Sequence, residues 1–494
     1  MRKNLILVAA SFAAALTTSY ALEREASACG GCFSPPPSPT ENPTVVTDHR
    51  MILTISQDQS TLYDQIKYSG NPESFAWVLP ISGTVDVGLS ANIVFQTLDG
   101  ATTTSIVAPP LNCPAAPTCN NRGSASGFAS DSAGPSSAQD AGAAPTVTVT
   151  KQEQVGPYST VQLHASDAGA LEKWLSDNGF SIPADVQPVV DKYVGEHFDF
   201  LALKLLPGKS VADMRPVRVT TKGASSVLPL RMVAAGTGAT VGISLWVLGE
   251  GRYEPQNFPS FAIPTDDIAW DWTQSKSDYV DLRTAKAAAA AGRAWETESS
   301  TALYKQQIQS AVLRTYYYGN YPGGGYPGGP TPSDPDAGPF DPQEASAQVD
   351  YLPVTDAQGT VTKTAVQARQ EDLDTLLHNI PDGTARVTRL RADLAHAALD
   401  ADLVMTASKD QAVLSNVRQL TKEIGQPQCP VYSADGCSQV GTAPRDQAAA
   451  RSDGGAESFS CTTGGSTSGG TLWLGAGLGY LALSIARARR RKNP

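Results

Sequence analysis

From His49 the apolar and polar positions alternate as they do along half-buried β-strands. "RMILTIS" and "TLYDQIKYS" are two such runs, parted by the polar turn "QDQS". "SGNP" at Ser69–Pro72 marks a second turn, and "SFAWVLPI" after it reads as a buried strand. Alternation resumes at Thr146, where "TVTVTKQEQVG" and "YSTVQLHA" predict a strand pair. "HFDFLALKLLPG", "MRPVRVTT", "VLPLRMVAA" and "TVGISLWVLG" are further strand candidates, with turn residues between them. The period becomes helical in "SDAGALEKWLSDNGF". There Ala168, Leu171, Trp174 and Leu175 fall on one face, Ser166 or Asp167 can cap the start, and Gly179 suits a left-handed stop. Residues 281–318 also read as helical, with an alanine-rich first half and "LYKQQIQSAVLRTYYY" as the second. "RVTRLRADL" through "LVMTASKDQAVLS" returns to strand character.

These patterns predict an α+β fold. It would be a β-rich exported domain of antiparallel strands with a few helices, interrupted by low-complexity insertions and followed by a C-terminal transmembrane helix. Residues 29–110 form the N-terminal β-rich part of this ectodomain, 146–318 its α+β main part and 346–440 its C-terminal part. Between them, residues 111–145 are rich in Ala, Ser, Pro and Gly and too poor in apolar side chains to bury a core, so a disordered insertion is expected. Residues 319–345 form a Tyr/Gly/Pro-rich loop.

The two ends say where the chain goes. Residues 1–28 read as a signal peptide: Arg2 and Lys3, the short apolar run "LILVAASFAAAL", then "ASA" ending at Ala28. Cleavage there makes Cys29 the first mature residue, which invites a lipid-anchor reading, but Ala26 stands where a lipobox prefers Leu. At the other end a Gly/Ser-rich spacer, 441–470, contains Cys461. A short apolar segment, 471–486, follows, and a basic tail, 487–494, would stay cytoplasmic. Spacer, lone cysteine, short apolar helix and arginines resemble the C-terminal sorting signal of myxobacterial surface proteins, which implies processing and anchoring at Cys461. The alternative is a permanent single-span anchor.

Composition sharpens this picture in two ways. The formal net charge is −11 although both termini are basic, so the body between them is more acidic still and a nucleic-acid partner is not expected. The chain has seven cysteines, as suits an oxidising compartment. Their spacing suggests three local disulfides, Cys29 with Cys32, Cys113 with Cys119 and Cys429 with Cys437, leaving Cys461 over, although six cysteines permit other connectivities.

Catalytic motifs are weak. The pair Cys29-Gly-Gly-Cys32 precedes "SPPPSP", which cannot open the helix a redox motif needs, and no second ligand pair suggests zinc. "LLPGKS" lacks the first glycine of a phosphate loop, and "GTGATVG" reads as a hairpin turn. The histidines (His49, His164, His197, His378, His396) show no metal-ligand spacing, and there is no nucleophile elbow. "PTDDIAWDW" offers Asp266, Asp267 and Asp271 beside Trp270 and Trp272, as a calcium or sugar contact or as a solvated turn leading into core tryptophans. Asp334, Asp336, Asp341 and Glu344 are a weaker acidic group in a linker. No cofactor is expected.

Several stretches together resemble a bacterial family known as domain of unknown function 2330. They are "CGGCF", "IKYSGNPESFAWVLPI", "VGPYSTVQLHASDAGALEKWLSDNGFSIP", "YVGEHFDFLALKL", "RPVRVT", "LPLRMVA" and "WVLGEGRYEPQNF". The resemblance implies an exported envelope protein and supplies no reaction. The expectation is therefore a membrane- or surface-anchored envelope protein that binds or scaffolds an extracellular polysaccharide or another envelope protein. Its membrane contact would be the C-terminal helix or a lipidated Cys461. The alternative is an envelope hydrolase using dispersed acidic residues, which would need a cleft lined by close carboxylates with raised pKa values.

Overall fold

A computed structural model describes residues 24–25, 31–33, 45–69, 76–115, 149–164, 168–180, 182, 186–209, 213–313, 341–355, 360–380, 383–433 and 438–448. All of the stretch 1–28 read as a signal peptide except residues 24–25, with Cys29, Cys119, Cys437, Cys461 and the apolar segment 471–486, lies outside the described residues. Among the described residues no helix is long and apolar enough to cross a membrane.

In chain order the principal elements begin with β1 (Val45–Ile55), β2 (Gln59–Ser69), β3 (Ala76–Ile81), β4 (Asp86–Leu89) and α1 (Asn92–Thr102). Next come β5 (Val149–Val155), β6 (Tyr158–Leu163), α2 (Ala168–Asp177), α3 (Gln187–Gly195) and β7 (Asp199–Leu205). They are followed by β8 (Val217–Lys222), β9 (Thr237–Gly249), α4 (Tyr279–Ala289), β10 (Trp295–Tyr304) and α5 (Lys305–Leu313). The last are α6 (Ala365–Leu376) and β11 (Thr384–Ala395). The β-rich α+β class expected from the alternation is what the chain forms.

The central sheet runs β10-β11-β9-β1-β2-β8-β4, with short strands added at its margins. Neighbours are antiparallel except β9 and β1, which run parallel. A second, antiparallel sheet runs β3-β7-β6-β5 and carries Gly31–Phe33, with Cys32, on its β3 edge. Side chains two apart on a strand share a face, so each central strand divides its apolar residues between two cores. Met51, Leu53, Ile243 and Leu245 pack on one side, while Ile52, Tyr63, Trp246 and Leu248 pack on the other against α1, α5 and α6. The second sheet buries Val78, Val161 and Phe200 under Leu171 and Leu175 of α2 and Val190 of α3. Gly179 closes α2 with φ +84°, the left-handed stop its position suggests.

Three expectations need correction. The stretch 281–318 is not one helical region: α4 and α5 flank β10, whose "WETESSTALY" joins the central sheet. Its Glu298 is buried against Arg389 of β11 and its Glu296 against the Tyr279 hydroxyl, and no local pattern reveals such partners. "VLPLRMVAA" is a two-residue strand followed by a helical turn over Leu230–Val233, in which Arg231 is drawn to Glu196 and Asp402. Third, the cysteine spacing misleads. Cys113 bonds Cys429, 316 residues away in sequence, which rules out the local pairs Cys113–Cys119 and Cys429–Cys437.

That disulfide belongs to a unit of its own. Cys113 and Cys429 fall in a second compact unit, distinct from the one that holds both sheets. Its described part is the hairpin Gln428–Tyr432 and Gln439–Pro444, with Cys429 and Ala443 buried together.

Candidate functional site

The most polar side of the central sheet is the one that α1 covers. β1, β9 and β11 place Arg50, Ser244 and Arg391 in one cross-strand row, which continues to Gln65 on β2 and Glu296 on β10. The next row toward the open end holds Lys67, Asp48, Gly242 and Asp393. The next row inward holds Tyr63, Ile52, Trp246 and Arg389. Directly opposed side chains lie within contact range, so each row is a physical neighbourhood.

The result is a trough along β9. Gly242 and Ser244 are its narrow floor, Asp48 and Arg50 form one bank, and Asp393 and Arg391 form the other. Gly242 leaves room for Asp48: a Cβ there would lie 2.2 Å from Asp48 Oδ1, which leans across it, and 3.6 Å from Asp393 Oδ1. The inner end is closed by Trp246, which is fully buried and donates its indole N–H to Thr102 Oγ1 at 2.8 Å. Asn92, Gln96 and Asp99 of α1 overhang that end, and the half-open cavity they line with Asp48, Arg50, Lys67, Ser244, Arg389 and Arg391 has a volume of about 460 Å³.

The arginines are fixed by their surroundings. Arg50 and Arg389 set their guanidinium carbons 5.8 and 5.0 Å from the Trp246 ring centroid, a stacking that favours cations over an electron-rich face. Nη1 of Arg50 donates to Gln65 Oε1 and Asn92 Oδ1, both neutral acceptors. Arg389 is committed to two carboxylates, Asp99 at 2.5 Å and Glu298. Burial alone would raise the Asp99 pKa, but Arg389 outweighs it and holds the carboxyl below its usual range. Arg391 remains partly exposed, with Nη2 3.2 Å from Asp393 Oδ1.

Beyond Arg389 the polar layer continues into the protein. Glu298 takes Arg389 and lies 3.9 Å from Arg283 of α4, while its backbone carbonyl accepts from Arg418. Glu296 is 1 % exposed and accepts a 2.7 Å hydrogen bond from the Tyr279 hydroxyl. Burial, with the negative charge of Glu298 nearby, pushes its carboxyl up to about 7.

A second buried acid lies elsewhere. Asp372 of α6 is fully enclosed, accepts from the Ser90 and Tyr351 hydroxyls at 2.7 and 2.9 Å, and sits 3.7 Å from Arg218. Burial raises it to about 6. Arg218 also engages Glu371, which in turn meets Lys363, so these charges staple α6 to β8.

The acidic-aromatic stretch singled out from sequence spans a helical turn and the strand after it. Asp266 and Asp267 lie exposed on a helical turn, and Asp271 accepts from Thr273 and Gln274 in its own turn. Trp270 and Trp272 are half-buried and packed edge to face, and Trp272 donates to Glu423. Asp341 caps the short helix Pro342–Ala347, and Glu344 accepts from the first amides of α6, so both have structural partners. Among the described residues no group of His, Cys, Asp and Glu is arranged to hold a metal. Arg50, Arg389 and Arg391 escaped sequence reasoning because their convergence depends on strand order. The alternation of polar and apolar residues in "RVTRLRADL" was the available signal, since it sets Arg389 and Arg391 on one face.

No curated protein matches this chain, and no solved structure does. A family described as an uncharacterized protein conserved in bacteria, DUF2330, matches residues 24–310, which hold most of both sheets and all of the trough except its β11 bank. The chain belongs to that family.

Proposed function

We propose that the protein is an exported, envelope-anchored binding or scaffolding module, and that the trough along β9 is where it receives its ligand. The observation that carries this reading is the trough itself: partly exposed arginines on both banks, set over two small residues and braced by a buried tryptophan. Preorganised guanidinium groups on rigid strands suit recognition of an anionic group. Export is supported by the signal-like N-terminus and by the Cys113–Cys429 disulfide, a bond that persists in oxidising compartments. Anchoring at Cys461 or through residues 471–486 rests on the sequence of the tail.

The hydrolase alternative draws on Glu296 and Asp372, the two described carboxyls held high. Both are sealed, at 1 % and 0 % exposure, and each is engaged by tyrosine. An acid that substrate cannot reach donates no proton to it, so access favours binding over hydrolysis.

Two measurements test the proposal. Intact mass of the protein from its native envelope, with and without reduction, should give a chain beginning at Cys29, ending near Cys461 and bearing a lipid-sized adduct. An unmodified chain running from Met1 to Pro494 would refute processing at both ends. Co-sedimentation of the full chain with envelope polysaccharide should fall at least tenfold in Arg391→Ala. Unchanged co-sedimentation would remove the trough from the function.

A further inference from the structure

The far end of the central sheet is built differently from the trough. β1 carries Arg50 near its start and finishes at Ile55, five residues or about 17 Å farther along, beside the end of β9 at Gly249. There the β1–β2 turn, the loop after β9 and the residues after α6 line a half-open cavity of about 420 Å³. Glu250 is the one charged side chain among its described lining residues, so an anion meets no cationic partner in that lining.

Tyr253 leans over Gly249 in this cavity: a Cβ at the glycine would lie 2.9 Å from the tyrosine Cε2 and 3.5 Å from its hydroxyl oxygen. Burial, and after it the charge of Glu250, raises the Tyr253 pKa, so the hydroxyl keeps its proton as a donor. Among the described residues that hydroxyl, the Gln57 amide and the side-chain carbonyl of Asn379 have no hydrogen-bond partner. The rim that carries them is fixed. Asp58 Oδ1 accepts from Ser56 Oγ and Asn379 Nδ2 at 2.9 and 2.7 Å, and Asp58 Oδ2 lies 3.0 Å from His378 Nε2. These contacts tie the β1–β2 turn to the residues after α6 and hold Asn379 at φ +50°, a left-handed conformation in which asparagine is enriched.

A second cavity, of about 620 Å³, lies along the same end of the sheet, lined by the exposed Tyr304 with Gln306 and Gln309. Lys305 links the two cavities. Its backbone N–H donates to Gly383, which lines the second, and its Nζ donates to the carbonyl of Ile380, which lines the first.

Tyrosine rings with amides beside them suit a sugar, whose C–H face packs on an aromatic ring while amides donate to and accept from neighbouring hydroxyls. A methylated ammonium could use Tyr253 and Glu250, but such cations are held in cages of several aromatic faces, and one would leave Gln57 and Asn379 unused. We infer that this end of the central sheet is a second ligand site, independent of the trough, and that it takes a neutral oligosaccharide. One sugar ring lies against Tyr253 with its hydroxyls on Gln57, Asn379 and Glu250, and the next lies toward Tyr304 and Gln306.

The test is calorimetric titration of the full-length protein, in a detergent without a sugar headgroup, with the hexaoses of glucose (α- and β-linked), mannose and xylose. A galacturonate hexamer and tetramethylammonium serve as the charged probes. At least one neutral hexaose is expected to bind, with the galacturonate hexamer about tenfold weaker or more. Gln57→Ala and Tyr253→Phe, which each remove hydrogen-bonding groups and leave the core intact, should each weaken that hexaose by about threefold to tenfold. Tyr304→Ala, at an exposed position, should also weaken it. Absence of binding by every neutral hexaose overturns the inference, as does binding that Gln57→Ala and Tyr304→Ala leave unchanged. Tighter binding of galacturonate or tetramethylammonium, lost in Gln57→Ala or Tyr253→Phe, would assign the cavity to a charged ligand and overturn the neutral-sugar assignment.

Discussion

Two places on the α1/α6 side of the central sheet bury an arginine against a carboxyl, and they do different things. Around Asp372 the buried acid is held by Ser90, Tyr351 and Arg218, while Glu371 is partly exposed and, with Arg218 and Lys363, lines a cavity of about 200 Å³. Under α1 the same ingredients are drawn out along three strands. Glu296 and Glu298 are buried, Arg389 bridges to Asp99, and Arg50 and Arg391 line the accessible cavity. A raised carboxyl occurs in both places, at about 6 and about 7, so a perturbed acid does not by itself mark a site. The two differ in what holds the raised acid: Asp372 sits beside Arg218, whereas Glu296 is held by the Tyr279 hydroxyl.

The comparison can be broken at several points, and the largest effect is expected at Asp372. Asp372→Ala removes the acceptor of two hydroxyls and strips Arg218 of its enclosed counter-charge, which should destabilise the fold by about 3–5 kcal/mol in urea denaturation. Arg391→Ala, at the accessible end of the other network, should cost less than about 1 kcal/mol of stability. Similar losses at the two positions would erase the distinction between staple and site.

Next is the pH response of Glu296. Its folded carboxyl is held at about 7 against an ordinary 4.5, so its contribution is complete below about 4.5 and is lost as pH rises to about 7. By pH 8 keeping this group buried costs about 3 kcal/mol. Glu296→Gln keeps an acceptor for Tyr279 and should remove that loss, making the variant more stable than wild type at pH 8 and nearly equal to it at pH 4.5. A variant less stable at pH 8 would mean that the charged form of Glu296 supports the fold.

Gly242 sharpens the comparison from the trough side. Gly242→Ala places a methyl 2.2 Å from Asp48 Oδ1, so the carboxylate must move off the floor. The expected stability cost is about 1–3 kcal/mol, with a larger proportional loss of ligand binding. Full binding by this variant would show that the outer end of the trough is not used.

Much of the scaffold was legible because it follows local alternation. The β1–β2 hairpin, the β5–β6 pair, β3, β7 and α2 with Gly179 all announce themselves in residues next to one another. What was hidden depends on distant partners. Strand β10 carries two buried glutamates whose partners, Tyr279 for Glu296 and Arg389 for Glu298, come from elsewhere in the chain, and its sequence alone reads as the continuation of an alanine-rich helix. Helix α1 has Ala91 at its cap and no acidic residue in its first turn, so nothing announces its start. Helix α6 did carry a signal, the capping box from Thr364 to Gln367. The Cys113–Cys429 bond is likewise a product of tertiary folding that cysteine spacing could not supply. The trough combines residues of α1, β1, β2, β9 and β11, and strand order is the one thing the alternation does not encode.

The central claim is that ligand sits between Arg50 and Arg391. Arginine-selective dicarbonyl modification of the full-length protein, read by peptide mass mapping with and without envelope polysaccharide, tests it most directly. The account predicts protection at Arg391 and Arg50 when polysaccharide is bound, with no change at Arg293, which lies half-exposed away from the trough. Modification of Arg391 and Arg50 at the same rate with polysaccharide bound would contradict it.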